Sequence, residues 1–235
     1  MSNNLSLIRQ RLGFDPTKDD RLLEAMTHRS FAVEKNLHFD NQRLEFLGDA
    51  VLEIILTDYI FSLYPDADEG IMTKMRSALA RESTLAALAK KLELGDALLV
   101  GHGEAENGGG SRVSTLADLF EAVIGALYLN AGFDTTKSVV TELFAADYPD
   151  PEKLLSVINP KGALQEYTQR RWGQTPVYQV LQVSGPDHDP DFKVQVVLKN
   201  YSATGTGNSR KAAESEAASA LLDHFHEIFP ETEEK

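Results

Sequence analysis

From residue 5 to about residue 143 apolar residues recur at helical spacing, and the stretches 22–28, 44–64, 71–91, 114–130 and 135–145 each repeat with a period near 3.6. Turn-forming residues divide them. Pro65-Asp66 closes the long second stretch, Gly95-Asp96 ends the third, and residues 101–111, with Gly108, Gly109 and Gly110 in a row, read as a flexible loop. No stretch in this region alternates as a strand does, so an all-α domain is predicted over residues 1–147.

The pattern changes at Asp147-Tyr-Pro-Asp-Pro151, where proline and acid mark a linker, residues 148–158. Beyond it, 162–172 reads as a short helix, 177–183, 192–199 and 201–205 as three strands separated by turn residues, and 210–229 as a closing helix. An α-β-β-β-α order predicts a small α+β domain over 159–229, an antiparallel sheet with both helices on one side. Residues 230–235 read as a frayed tail.

Composition narrows the class. With 235 residues and 42% hydrophobic content the chain can bury real cores, and no charge-free apolar run approaches the ~20 residues of a membrane helix. Neither a signal peptide nor a membrane partner is expected. The chain has no cysteine, which removes disulfides, thiolate metal sites and a cysteine nucleophile and suits a reducing compartment; the expected location is the cytoplasm. A formal charge of −13 speaks against a polyanionic partner unless the charge is unevenly distributed or divalent cations bridge acids to phosphate.

Two helices make the second route concrete. In residues 41–56 the apolar side chains cover every side of the helical wheel, yet Glu45 and Asp49 stand one turn apart on nearly the same face and repel each other. Residues 114–129 repeat the oddity, with Asp118 and Glu121 as the only charges, within ~60° of each other. Gly125 lies on the same arc, where a missing side chain permits close approach. The alternative is four unrelated surface carboxylates, the usual fate of such residues. Packed face to face, however, the pairs would bring four acids to the edge of an apolar bundle, a strongly unfavourable arrangement without a cation. Hard oxygen donors in that number suit Mg²⁺, with Mn²⁺ also possible, and the same geometry suits two-metal hydrolysis of a phosphodiester.

Residues 42–52, Gln-Arg-Leu-Glu-Phe-Leu-Gly-Asp-Ala-Val-Leu, resemble the signature of the ribonuclease III family. Thr27-His-Arg-Ser30, Asp68-Glu-Gly70 with Met75-Arg76, and residues 115–126 resemble further segments of it in the same order, so the resemblance spans essentially the whole chain. It implies an all-α endonuclease domain in which Glu45, Asp49, Asp118 and Glu121 are the metal-binding acids, with Asp49 and Glu121 catalytic and Glu69 a supporting acid. The implied reaction is Mg²⁺-dependent hydrolysis of double-stranded RNA by metal-activated water, leaving 5′-phosphate and 3′-hydroxyl ends, with a role in processing ribosomal and other structured precursors. The resemblance also implies a homodimer formed through the catalytic domain, with the signature helices at the interface, so that Leu44, Phe46, Leu47 and Val51 would partly face a second subunit. One residue departs from the pattern: Gln42 stands where the family often has Glu, which keeps hydrogen-bonding capacity and removes a charge.

The C-terminal module resembles a double-stranded RNA-binding domain through residues 164–169, Gly185-Pro-Asp-His188 and residues 205–214. The resemblance implies three RNA contacts: Gln165 and Gln169 on the first helix, His188 between the first two strands, and Arg210 with Lys211 at the start of the last helix. Such modules read A-form shape through 2′-hydroxyls and phosphates. At Arg210 and Lys211 the helix N-terminus and two cations would act together on a phosphate. Singly these residues are ordinary solvated surface. Residues 159–229 hold seven Lys or Arg (161, 170, 171, 193, 199, 210, 211) against eight Asp or Glu (166, 187, 189, 191, 214, 216, 223, 227), and Asn208 stands where the family commonly has Lys. Modest, salt-sensitive affinity is expected.

Two other classes compete with a nuclease. A non-catalytic RNA-binding scaffold is opposed by the retention of all four acids, with only Gln42 in its favour. A phosphohydrolase of small molecules leaves the C-terminal module without a purpose. His28 reads as a buried histidine or helix cap, and Glu104 and Glu106 as solvated loop acids.

Overall fold

The computed structural model describes residues 2–18, 20–186 and 189–229. The chain divides into two compact units, 1–151 and 152–235.

The first unit is helical: α1 (Ser2–Leu12), α2 (Leu22–Ala25), α3 (Arg29–Lys35), α4 (Gln42–Leu63), α5 (Glu69–Leu79), α6 (Glu82–Lys91), α7 (His102–Glu106), α8 (Val113–Ala131) and α9 (Phe133–Asp147). The axis of the unit is α8, with nearly every side chain from Thr115 to Leu127 buried and with α4 and α6 packed along it. In length and composition α8 could cross a membrane, but most of it is enclosed by its own domain, as a core helix is. The chain leaves α8 at Gly132, whose φ of 84° is disfavoured for residues with a side chain. From α4 come Leu44, Leu52, Ile55, Leu56 and Ile60 to the shared core. Asp68 caps α5 by accepting from Ile71 N at 2.9 Å.

Several local features depart from the sequence reading. The stretch 71–91 is two helices, not one: Arg81 is extended between α5 and α6, and the buried Thr84 hydroxyl donates to Ala78 O at 3.0 Å. That bond satisfies a carbonyl at the end of α5 inside the core, so the chain turns there without glycine or proline. The stretch 22–28 is helical only to Ala25; Thr27 then forms a parallel bridge with Leu99, and His28 caps α3, accepting from Ser30 N through Nδ1. The expected flexible loop 101–111 instead holds α7 and a short 3-10 turn at Gly109–Ser111. It is tied to α3 by Gly101 N donating to Ser30 Oγ at 2.9 Å and His102 N donating to Glu34 Oε2 at 2.7 Å. Glu104, expected to be solvated, pairs with Arg112 at 2.7 Å.

The second unit has a helix, α10 (Pro151–Ile158), in the segment read as linker, then α11 (Pro160–Trp172), β1 (Val177–Ser184), β2 (Asp191–Leu198), β3 (Tyr201–Gly207) and α12 (Arg210–Ile228). Asn159 caps α11 and Ser209 caps α12, each accepting from the backbone N–H three residues on. The sheet is antiparallel in the order β1-β2-β3, with a bulge between Val180 and Gln182. Alternation along β2 buries Val194, Val196 and Leu198, and Val196 and Leu198 share a core cluster with Leu164, Ala217, Leu221 and Phe225 of the helices. This is the predicted α-β-β-β-α arrangement. The tail 230–235 and His188 lie outside the described residues.

Candidate active site

The site is made by two glycines. A Cβ on Gly48 of α4 would lie 1.8 Å from the carbonyl oxygen of Glu121, and one on Gly125 of α8 would lie 2.2 Å from that of Leu44. The two helices therefore meet backbone to backbone, closer than any residue with a side chain permits. Glu45 and Asp49 flank Gly48 on one helix, and Asp118 and Glu121 precede Gly125 on the other, so the close crossing sets the two acidic pairs side by side.

Glu45, Asp118 and Glu121, all half-buried, offer carboxylate oxygens within 4.8 Å of one another. Burial, reinforced by the charges of Asp49, Asp118, Glu45 and Glu82, pushes the Glu121 carboxyl up to about 8. Burial followed by Asp118, Asp40 and Asp49 raises Glu45. Asp118 is raised by burial and Glu82, partly offset by His28. Among the described residues no Lys or Arg forms an ion pair with any of the four acids. Converging, half-buried carboxylates without a Lys or Arg partner among the described residues are a donor set for a hard divalent metal ion, and the residues present fit one.

Asp49 is exposed and stands outside the three-oxygen cluster, although its charge is the foremost of those acting on Glu121. Glu69 is exposed in the first turn of α5, accepts from Thr73 Oγ1 at 3.3 Å, and is not in the cluster. Gln42 is exposed, with Arg29 Nη1 at 3.5 Å from its Oε1, and is likewise outside it. Glu82, at the start of α6, was not singled out in the sequence, yet its charge acts on both Asp118 and Glu121. It is a lone acid in its helix, and only the packing of α6 against α8 brings it near.

In the second unit Gln165 and Gln169 are exposed on α11, and Arg210 and Lys211 are exposed in the first turn of α12. Arg210 already holds a partner, Glu214 Oε1, at 2.8 Å.

The Ribonuclease-III-like family model matches residues 19–148, more than half of the chain. The chain belongs to the ribonuclease III family. The double-stranded RNA binding motif matches residues 160–224. Ribonuclease 3 of Moorella thermoacetica is 44% identical over 201 residues, covering 84% of this chain and 85% of that protein. Ribonuclease 3 of Nitrosococcus oceani is 41% identical over 226 residues, covering 94% and 95%. The nuclease domain of the Campylobacter jejuni ribonuclease III superposes with a TM-score of 0.58 at 37% identity, covering 62% of this chain and 99% of that one; its structure is described as flexible in the region involved in dimer formation. As a member of this metal-dependent family with its RNA-binding module attached, the chain is a double-stranded RNA endoribonuclease.

Proposed function

We propose that this ribonuclease III is a homodimeric, Mg²⁺-dependent enzyme that hydrolyses double-stranded RNA to 5′-phosphate and 3′-hydroxyl ends, and that ribosomal and other structured precursors are among its substrates. The observation that carries the proposal is the three-carboxylate cluster at the Gly48–Gly125 crossing. Glu45, Asp118 and Glu121 would hold the metal. When bound, the ion supplies Lewis-acid polarisation of the phosphoryl oxygen and acidification of water. Asp49, exposed beside the cluster, would orient a water and accept its proton, with Glu82 adding negative potential nearby and Glu69 assigned only a supporting role. Gln165 and Gln169 present amides to minor-groove 2′-hydroxyls, while Arg210 and Lys211 hold a phosphate against the start of α12. Residues 1–147 form the catalytic domain and 159–229 the binding domain, joined through 148–158. Incubating a long duplex RNA with the protein in Mg²⁺ should yield fragments carrying 5′-phosphates, and EDTA should stop the reaction; fragments with 5′-hydroxyls, or cleavage that persists in EDTA, would exclude this chemistry.

The dimer draws support from the surface of α4. Phe46, Ile54 and Phe61 are 80%, 57% and 67% exposed and fall within an arc of ~80° on the helix. Large apolar side chains so arranged mark a contact surface. Leu44 and Val51 belong to the protomer's own core and not to that face, and Leu47 is half-buried. Phe46→Glu should yield monomers by sedimentation equilibrium, because a charge would enter the apolar contact on both sides of a two-fold interface.

The near-neutral binding module leads to a second expectation. The isolated fragment 159–229 should bind duplex RNA weakly, and its affinity should fall steeply as salt rises from 50 to 200 mM, as affinity carried by phosphate contacts does. Gel-shift titrations at several salt concentrations measure this directly, and tight binding that persists at high salt would contradict it.

A further inference from the structure

Glu214, in the second turn of α12, is 8% exposed, an unusual burial for an acid. Both of its oxygens are used. Lys161 Nζ, from the first turn of α11, donates to Oε2, and Arg210 Nε, from the first turn of α12, donates to Oε1 at 2.8 Å. The Lys161 ammonium also lies 4.5 Å from the centre of the Tyr178 ring on β1, so it is held from two sides. The hydrogen bonds from Lys161 and Arg210 keep the Glu214 carboxyl below its ordinary range, so it is ionised at neutral pH. Arg210 commits only its Nε; its side chain is 64% exposed, and its two terminal nitrogens form no hydrogen bond among the described residues.

On charge alone this carboxylate works against the module. A domain with seven cations and eight acids, whose ligand is a polyanion, should bind more tightly without an acid between two of its cations. The opposing effect is order. Lys and Arg side chains lose considerable rotamer entropy when immobilised, and a contact made by a side chain already fixed in place avoids that loss on binding.

We propose that Glu214 is a positioning residue for duplex RNA: it fixes Arg210 and Lys161 as a paired grip on phosphate across the starts of α11 and α12, and makes Lys161 a further RNA contact. The proposal rests on the reading that Arg210 meets the RNA backbone.

The two effects have opposite signs, so Glu214→Gln in the full chain separates them. KM for a short duplex should rise about three- to tenfold with kcat at saturating duplex retained, although the module gains a positive charge. Lys161→Ala should raise KM similarly alone and add little in the Glu214→Gln background, because the two act as one unit. An unchanged or lower KM for a folded Glu214→Gln protein overturns the proposal, as does a lower melting midpoint with no change in KM. If Glu214→Gln does not fold, Lys161 decides: a raised KM for Lys161→Ala that Lys161→Arg restores supports the grip, and an unchanged KM overturns it. Arg210→Ala distinguishes the levels of failure. No effect on KM removes the underlying reading and the inference with it, whereas a raised KM for Arg210→Ala beside an unchanged one for Glu214→Gln overturns the inference alone.

Discussion

Glu121→Ala is expected to abolish cleavage of long duplex RNA while leaving duplex binding intact. Glu121 is the acid of the cluster on which burial and neighbouring charge act most strongly, and the charges of Asp49, Asp118, Glu45 and Glu82 all bear on it. Removing it takes one of three convergent oxygens from the site and relaxes the repulsion that makes the site attract a cation. Metal-assisted stabilisation of a phosphoryl transition state is worth several kcal/mol, so cleavage should slow by at least ~10²-fold. Binding should survive because the residues assigned to the RNA backbone, Gln165, Gln169, Arg210 and Lys211, belong to the other unit. Single-turnover cleavage beside gel-shift titration tests both halves, and undiminished cleavage in Mg²⁺ would refute the role assigned to Glu121.

Gly125→Ala, like Gly48→Ala on the facing helix, should be among the most damaging single methyl additions in the nuclease unit. The new Cβ would meet the Leu44 carbonyl oxygen at 2.2 Å and Gly48 N at 3.1 Å, and these are backbone atoms that no rotamer change can move. The helices can relieve the clash only by separating, which opens the core shared by Leu44, Leu52, Phe120 and Ile124. A cost at the upper end of the ~1–3 kcal/mol typical of overpacking lowers the melting midpoint by about 10 °C. Activity should fall too, even well below the midpoint, since the same separation draws Glu45 away from Glu121. A differential-scanning trace superposable on that of the unsubstituted protein would mean that the helices do not cross as closely as described.

The extent to which this site could be read from sequence follows from its geometry. Glu45 with Asp49, and Asp118 with Glu121, stand out because each pair interrupts a helix that is otherwise apolar all round, a pattern that needs only local periodicity. Gly125 could be placed on the acidic arc for the same reason. Gly48 could not be singled out, because its importance lies in the carbonyl of Glu121, a contact across more than 70 residues of chain. Glu82 was invisible in the same way, as its helix carries no other sign of the site. Folding detail failed where side chains replace the usual punctuation. The turn between α5 and α6 is held by the buried hydroxyl of Thr84, and the glycine-rich stretch is ordered by Ser30 and Glu34 of a distant helix. In the binding module, β2 alternates cleanly and both helices begin at good capping residues, so order and boundaries were legible. The pairing of Lys161 with Glu214 joins two helix starts more than 50 residues apart and was not.

The central claim is that Glu45, Asp118 and Glu121 together hold the divalent ion on which hydrolysis depends. Calorimetric titration of the full chain with Mn²⁺ in the absence of RNA tests it most directly. Binding should be measurable in the unsubstituted protein, reversed by EDTA, and weakened at least tenfold by each of Glu45→Gln, Asp118→Asn and Glu121→Gln, with Glu69→Gln close to unsubstituted. Equal Mn²⁺ affinity across all these proteins would contradict the account.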